Sequence, residues 1–232
     1  MSASHVIFVP GLCCTADLFA HQLEHLREEF ELRVADTTAD DTIHGMAERA
    51  VANAPQRFAL VGLSMGGYVA LDIAQRMPDR VSHLILIDTS ARADRQEQKE
   101  MRRQFVDLAR RDGVRAANDA IYDRIVGVSN RTDGVLKARI DAMADAIGVD
   151  VYERQQTAIM GRRDSREELA SIHVPTLVVV GAEDELTPPK LAHEMAARLP
   201  NVRLEEVPGA GHMSTMERPE ALTALIADFL RS

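Results

Sequence analysis

The sequence predicts an α/β fold, a mostly parallel sheet of about six strands flanked by helices and interrupted once by a helical insertion. Three observations predict it. Short β-rich apolar runs recur along the chain, several of them ending at glycine, proline or aspartate. Stretches with helical spacing separate most of these runs. One stretch of about seventy residues has helical spacing throughout and contains no strand-like run.

The first run, His5 to Val9, is continuous and ends at Pro10-Gly11. An uninterrupted apolar run suits a strand covered on both faces, as in a parallel sheet. Leu32 to Ala35 is a shorter second strand. Phe58 to Val61 is a third, ending at Gly62, and Leu84 to Ile87 a fourth, ending at Asp88. Thr176 to Val180 is a fifth, ending at Gly181, and Val202 to Val207 a sixth, ending at Pro208-Gly209. Tyr68 to Met77 reads as the helix after the third strand. Pro189 to Leu199 follows the fifth, with Thr187 as its expected N-cap and proline in the first turn, and Pro219 to Leu230 closes the chain.

The insertion spans residues 94–163, dividing a core of residues 1–93 and 164–232. Met101, Phe105 and Leu108 are spaced for one helix. Val114, Ala117, Ile121 and Ile125 suit a second, Leu136, Ile140, Met143 and Ile147 a third, and Val151 to Met160 a fourth. Gly113, Gly127, Gly134 and Gly148 punctuate them.

Composition excludes several classes. With 232 residues, 46% of them hydrophobic, the chain can bury a substantial core as one domain with an insertion. A formal charge of −9 argues against a nucleic-acid partner, which needs a basic face. The two cysteines, Cys13 and Cys14, are adjacent and cannot staple distant segments. Met1 to His5 lacks the charged and apolar regions of a secretory leader. No apolar run approaches the ~18 residues of a membrane helix. The expected location is the cytoplasm, with no membrane partner. Metal-ligand spacings, a Walker loop and a dinucleotide fingerprint are all missing from the sequence, so no metal and no cofactor are expected.

The strongest local signal is Gly62-Leu63-Ser64-Met65-Gly66-Gly67, set between an apolar strand and a helical stretch. That is the context of a nucleophile elbow, where flanking glycines let strand and helix approach each other. A serine hydroxyl needs a base, and the base needs an orienting group. Of eight histidines, His212 stands apart in Pro208-Gly209-Ala210-Gly211-His212, directly after the sixth strand. His21, His25, His44 and His193 read as surface or packing residues, and His5, His83 and His173 flank strands. Ligands gather at the carboxyl ends of parallel strands, where a histidine on a glycine loop can reach a neighbouring strand. Asp184, after the fifth strand, is the expected acid. Glu183 and Glu185 compete on spacing, and Asp88, after the fourth strand, is a further alternative. The order Ser64, Asp184, His212 is the nucleophile–acid–histidine order of α/β-hydrolases. The expected oxyanion donors are the backbone N–H of Met65, following the nucleophile, and of Leu12, in the loop after the first strand. Cys13 and Cys14 read as apolar lining beside that loop. Arg124, Arg154, Arg162 and Arg163 read as solvated surface of the insertion, with a substrate carboxylate as the alternative.

The chain resembles the α/β-hydrolase superfamily over nearly its whole length. The marks are Val9-Pro10-Gly11-Leu12, the elbow, Val174-Pro175-Thr176 leading to Val180-Gly181-Ala182-Glu183-Asp184, Thr187-Pro188-Pro189, Gly209-Ala210-Gly211-His212 and Glu217-Arg218-Pro219. The resemblance implies Ser64 as nucleophile, Asp184 as acid, His212 as base and residues 94–163 as a cap. Many relatives have His-Gly where this chain has Pro10-Gly11. Many also begin with a hairpin before the strand that opens this chain, which implies a short sheet. The nearest likeness is to small carboxylesterases and enol-lactonase-like members. The expected reaction is cleavage of a small carboxylic ester or lactone through an acyl-serine. Carbon–carbon hydrolysis, acyl transfer and peptide cleavage use the same triad, and a non-catalytic ligand-binding scaffold shares the fold.

Overall fold

A computed structural model describes residues 4–232; residues 1–3, part of the stretch read above for a leader, lie outside the described residues. In chain order the elements are β1 (His5–Val9), α1 (Ala20–Leu26), β2 (Glu31–Val34), α2 (Ile43–Val51), β3 (Phe58–Leu63), α3 (Met65–Arg76), β4 (Val81–Ile87), α4 (Gln96–Asp112), α5 (Val114–Asp119), α6 (Tyr122–Ile125), α7 (Gly134–Gly161), β5 (Thr176–Gly181), α8 (Pro189–Ala196), β6 (Val202–Val207), α9 (Ser214–Glu217) and α10 (Pro219–Leu230). The strands form one six-stranded sheet in the order β2-β1-β3-β4-β5-β6, and every neighbouring pair is parallel.

The pleat sorts each strand's residues between two cores. Val6 and Phe8 of β1 join Val61, Ile85, Ile87 and Val179 on the face covered by α1 and α10. Ile7 and Val9 join Leu60, Leu84, Leu86, Val178 and Val180 on the face covered by α2, α3 and α8. Both faces are dry, so β3, β4 and β5 are buried along their whole length, and each reads as a run dominated by apolar residues. The outer strands β2 and β6 are only partly buried and carry charge.

This strand order places the site. From β1 the chain steps outward to β2, then returns past β1 to β3 and continues the other way. The connections after β1 and β3 therefore part at their carboxyl ends and leave a crevice between them, where ligands bind in open α/β sheets. The loop carrying Leu12 and the turn carrying Ser64 are the two sides of that crevice.

Between β4 and β5 the chain runs through α4, α5, α6 and α7 with no strand among the described residues. These helices have a small core of their own, in which Val106, Ala109, Val114, Ala117, Ala144, Ile147 and Tyr152 pack around Cys13. Four expectations need correction. The helix expected over 114–125 is two, because the backbone leaves helical geometry at Ile121 (φ −124°). Thr187 does not cap α8: Pro188 holds that position, and the threonine side chain is engaged with Asp184. His83 lies inside β4, which begins three residues before the apolar run that signalled it. The break expected at Gly148 is a kink within α7, where φ is +69°.

Candidate active site

Ser64 sits between the last residue of β3 and the first of α3, at φ 54° and ψ −115°. A non-glycine residue held at positive φ is strained, and such strain persists only where surroundings enforce it. Here the enforcement is visible. Ser64 N–H donates to Ile87 O at 2.9 Å, and Thr89 Oγ1 donates to Ser64 O at 2.8 Å. The flanking glycines are required by contact. A Cβ on Gly62 would stand 2.3 Å from Gly66 O, and one on Gly66 would stand 1.9 Å from Val9 O. Strand, turn and helix thus touch backbone to backbone, and the serine side chain is the one that projects.

Ser64, His212 and Asp184 form one hydrogen-bonded chain. His212 Nε2 lies 2.9 Å from Ser64 Oγ, and His212 Nδ1 lies 2.8 Å from Asp184 Oδ2. Asp184 is fully buried and accepts further bonds: Leu186 N–H at 2.8 Å and Thr187 N–H at 2.9 Å on Oδ1, and the Thr187 hydroxyl at 2.7 Å on Oδ2. Burial alone would raise this carboxyl, but the His212 charge and the bonds from His212 and Thr187 hold it below the usual range. Burial alone would likewise lower His212, but Asp184 outweighs it and raises the imidazole above its usual value of 6.5. An ionised Asp184 makes Nδ1 the donor, which leaves Nε2 to accept the Ser64 proton.

The competing carboxylates are engaged elsewhere. Asp88, fully buried, accepts Gly181 N–H at 2.8 Å and the Ser214 hydroxyl at 2.5 Å. Burial and the Asp184 charge push its carboxyl well up. Glu183 accepts Val128 N–H at 2.6 Å, and Glu185 pairs with Arg131 at 3.0 Å.

The loop after β1 lies against the elbow: a Cβ on Gly11 would stand 3.5 Å from Ser64 Cβ. Leu12 N–H has no acceptor among the described residues, whereas the next amide, Cys13 N–H, donates to Gln155 Oε1 at 2.9 Å. Met65 opens α3, so its N–H has no acceptor one turn back and lies at the positive end of the helix dipole. Cys13 and Cys14 are buried, line the cavity and are protonated thiols; burial raises both, Cys13 to about 12.

Two residues that sequence reasoning left without a role hold the site together. Glu217, buried at 7% exposure, accepts Gly211 N–H (2.9 Å) and Met213 N–H (3.1 Å) on one oxygen. Its other oxygen accepts Gly127 N–H (2.7 Å) and the Asn130 side chain (2.5 Å). It therefore clamps both amides flanking His212 to the segment after α6, and Ile125 O at the end of α6 accepts His212 N–H at 2.8 Å. Gln155, fully buried in α7, ties the Leu12 loop to Thr37 by accepting Cys13 N–H and donating to Thr37 O. Glu217 was visible as part of Glu217-Arg218-Pro219, but its four donors converge only in three dimensions.

A cavity of about 420 Å³ opens over Ser64 and His212, bounded by Leu12, Cys13 and the helices between β4 and β5. Its apolar lining includes Ile125, Ile140, Met143 and Ile159. Of the four arginines singled out above, Arg124 and Arg162 line it. Arg154 Nε instead donates to Thr38 O, and Arg163 pairs with Glu168.

Comparison with known proteins agrees with this architecture. A model of the alpha/beta hydrolase fold family matches residues 52–219. The chain is 30% identical over 191 residues to a pimeloyl-[acyl-carrier protein] methyl ester esterase of Yersinia enterocolitica, covering 79% of this chain and 73% of that one. It superposes on a thermophilic esterase from Thermogutta terrifontis with a TM-score of 0.90 at 30% identity, covering 99% of this chain and 90% of that one. With the enol-lactonase from Burkholderia xenovorans the TM-score is 0.88 at 26% identity, with coverages of 99% and 92%. The chain belongs to the alpha/beta hydrolase fold family.

Proposed function

We propose that this hydrolase-family member cleaves small carboxylic esters or lactones through an acyl-Ser64 intermediate, with residues 94–163 as the cap that shapes its substrate pocket. The observation that carries the reading is the continuous chain from Ser64 Oγ through His212 to Asp184, with contacts of 2.9 and 2.8 Å. In the proposed mechanism His212 Nε2 takes the Ser64 proton as Oγ attacks the carbonyl, then returns it to the leaving alcohol. Asp184 holds the imidazole in the required tautomer and stabilises its cation. The negative charge on the carbonyl oxygen is met by the Leu12 and Met65 N–H groups, both without a competing acceptor among the described residues. Water, deprotonated by the same histidine, releases the acid. No step calls for a metal or an organic cofactor. The esterases and the enol-lactonase among the similar proteins support an ester or lactone as substrate.

Reaction with a fluorophosphonate probe tests the nucleophile. Ser64 is expected to carry the label, mapped by peptide mass spectrometry; an unlabelled Ser64 in folded protein overturns the reading. An acyl-chain series of aryl esters, run beside lactones and vinylogous diketones, then separates ester, lactone and carbon–carbon hydrolysis.

A further inference from the structure

The charge of the cavity is opposite to that of the protein. The chain carries a formal −9, yet the cavity over Ser64 is lined by Arg92, Arg95, Arg102, Arg124, Arg162 and Lys190, with Asp94 as its one carboxylate among the described residues. Asp94 is fully buried and shared: Arg102 Nε lies 2.5 Å from one oxygen and Arg162 Nη2 lies 2.7 Å from the other. Two guanidinium groups on one carboxylate leave a net positive charge at the cavity wall. Taking such a charge out of water is costly unless an anion meets it.

The two arginines differ in what they have left to give. Arg162 donates Nε to Arg92 O and Nη1 to Ile159 O, its Nη2 forms an ion pair with Asp94, and its guanidinium lies 4.2 Å over the Tyr68 ring. Its side chain is 7% exposed, and it is a fixed part of the wall. Arg102 is 21% exposed, spends Nε on Asp94 and Nη1 on Gln156, and has no acceptor for Nη2 among the described residues. A guanidinium pinned at two nitrogens and open at the third is preorganised for an incoming oxygen anion. Arg95, Arg124 and Lys190 line the same cavity and form no ion pair among the described residues, whereas Arg92 is neutralised by Glu194.

We propose that the substrate carries a carboxylate remote from its scissile ester or lactone bond, and that Arg102, held with Arg162 on the buried Asp94, binds it. The favoured substrates are then monoesters of dicarboxylic acids and lactones bearing a free acid. The apolar lining from Ile125, Ile140 and Met143 receives the carbon chain between the two ends. The proposal rests on the ester-hydrolase reading and adds the substrate's charge. The −9 of the whole protein repels an anion at long range, so a preference for one must arise inside the cavity.

The test compares mono-para-nitrophenyl glutarate with para-nitrophenyl pentanoate, acyl groups of equal carbon count that differ in the terminal carboxylate. The wild-type protein is expected to favour the glutarate in kcat/KM by about tenfold or more, mainly through KM, with the advantage shrinking as salt is raised. In Arg102→Gln the ratio of the two is expected to fall towards one. Free glutarate is expected to inhibit the wild type competitively where glutaramide does not, a readout that needs no variant. A wild-type ratio near or below one, a ratio unchanged in Arg102→Gln, or no inhibition by glutarate overturns the proposal. If both esters are turned over without preference, only the charge assignment falls. If neither is turned over, the ester-hydrolase reading falls with it.

Discussion

The carboxyl edge of the sheet and the helical segment above it meet at Ser64, and they hold their shape by different means. The edge is fixed by backbone. Gly62, Gly66 and Val9 touch main chain to main chain, and Asp184 takes two amide N–H bonds as well as the histidine. The helical segment is fixed by side chains. Its small core packs on Cys13, and its inner wall is an arginine–aspartate–arginine arrangement that a few substitutions would redraw. On the proposed mechanism, the difference teaches that the reaction and its selectivity belong to separable parts of the molecule, the edge setting which bond is attacked and the segment what reaches it.

The sharpest way to probe the edge is Asp184→Asn. The amide leaves shape intact but no longer demands the Nδ1–H tautomer, so kcat for an aryl ester is expected to fall by about ten-thousandfold. The pH profile gives a second readout. His212 must be neutral to accept the Ser64 proton, so activity is lost as pH falls through its pKa, and that acid limb is expected above pH 6.5 because Asp184 raises the imidazole. Asp88 and Glu217 also face His212, but Asp184 acts on it most strongly, so the limb moves down in the variant. A limb that stays in place breaks the assignment of Asp184 as the orienting acid.

Gly66→Ala asks whether the edge depends on backbone contact. A Cβ 1.9 Å from Val9 O cannot be accommodated by a side-chain shift, and a loss of about 3 kcal/mol or more is expected in urea unfolding. A variant as stable as the parent shows that strand and helix are free to part. Glu217→Gln tests the seam between the two regions. The amide offers one acceptor where four N–H donors converge, and buried groups left unpaired cost about 1–3 kcal/mol. Turnover is expected to fall by about tenfold, in kcat rather than KM, because the loop holding His212 loses its anchor. A loss of stability with kcat intact makes Glu217 a purely structural strut.

What the sequence disclosed follows the same division. The strands were legible because a sheet dry on both faces demands long apolar runs, as in β3 and β5. The elbow was legible because steric demand writes glycines into fixed positions. His212 and Asp184 stood out as polar residues directly after such strands. The short helices α1 and α2 were not read, since each offers two turns or so and shares its composition with loops. Thr187 was misread because a threonine before prolines signals a cap just as well as a hydroxyl serving a nearby carboxylate. Gln155, Asp94 and Arg102 were illegible, and Arg162 was read first as solvated surface, for a stronger reason: arginines and a glutamine spaced along exposed-looking helices become a cavity wall only once those helices are folded over the sheet.

Turnover of a short-chain aryl ester by the wild type and by Ser64→Ala, measured side by side on folded protein, tests the central claim most directly. The account expects turnover by the wild type and its loss in the variant by about ten-thousandfold or more. A Ser64→Ala protein that hydrolyses the ester at the wild-type rate would contradict it.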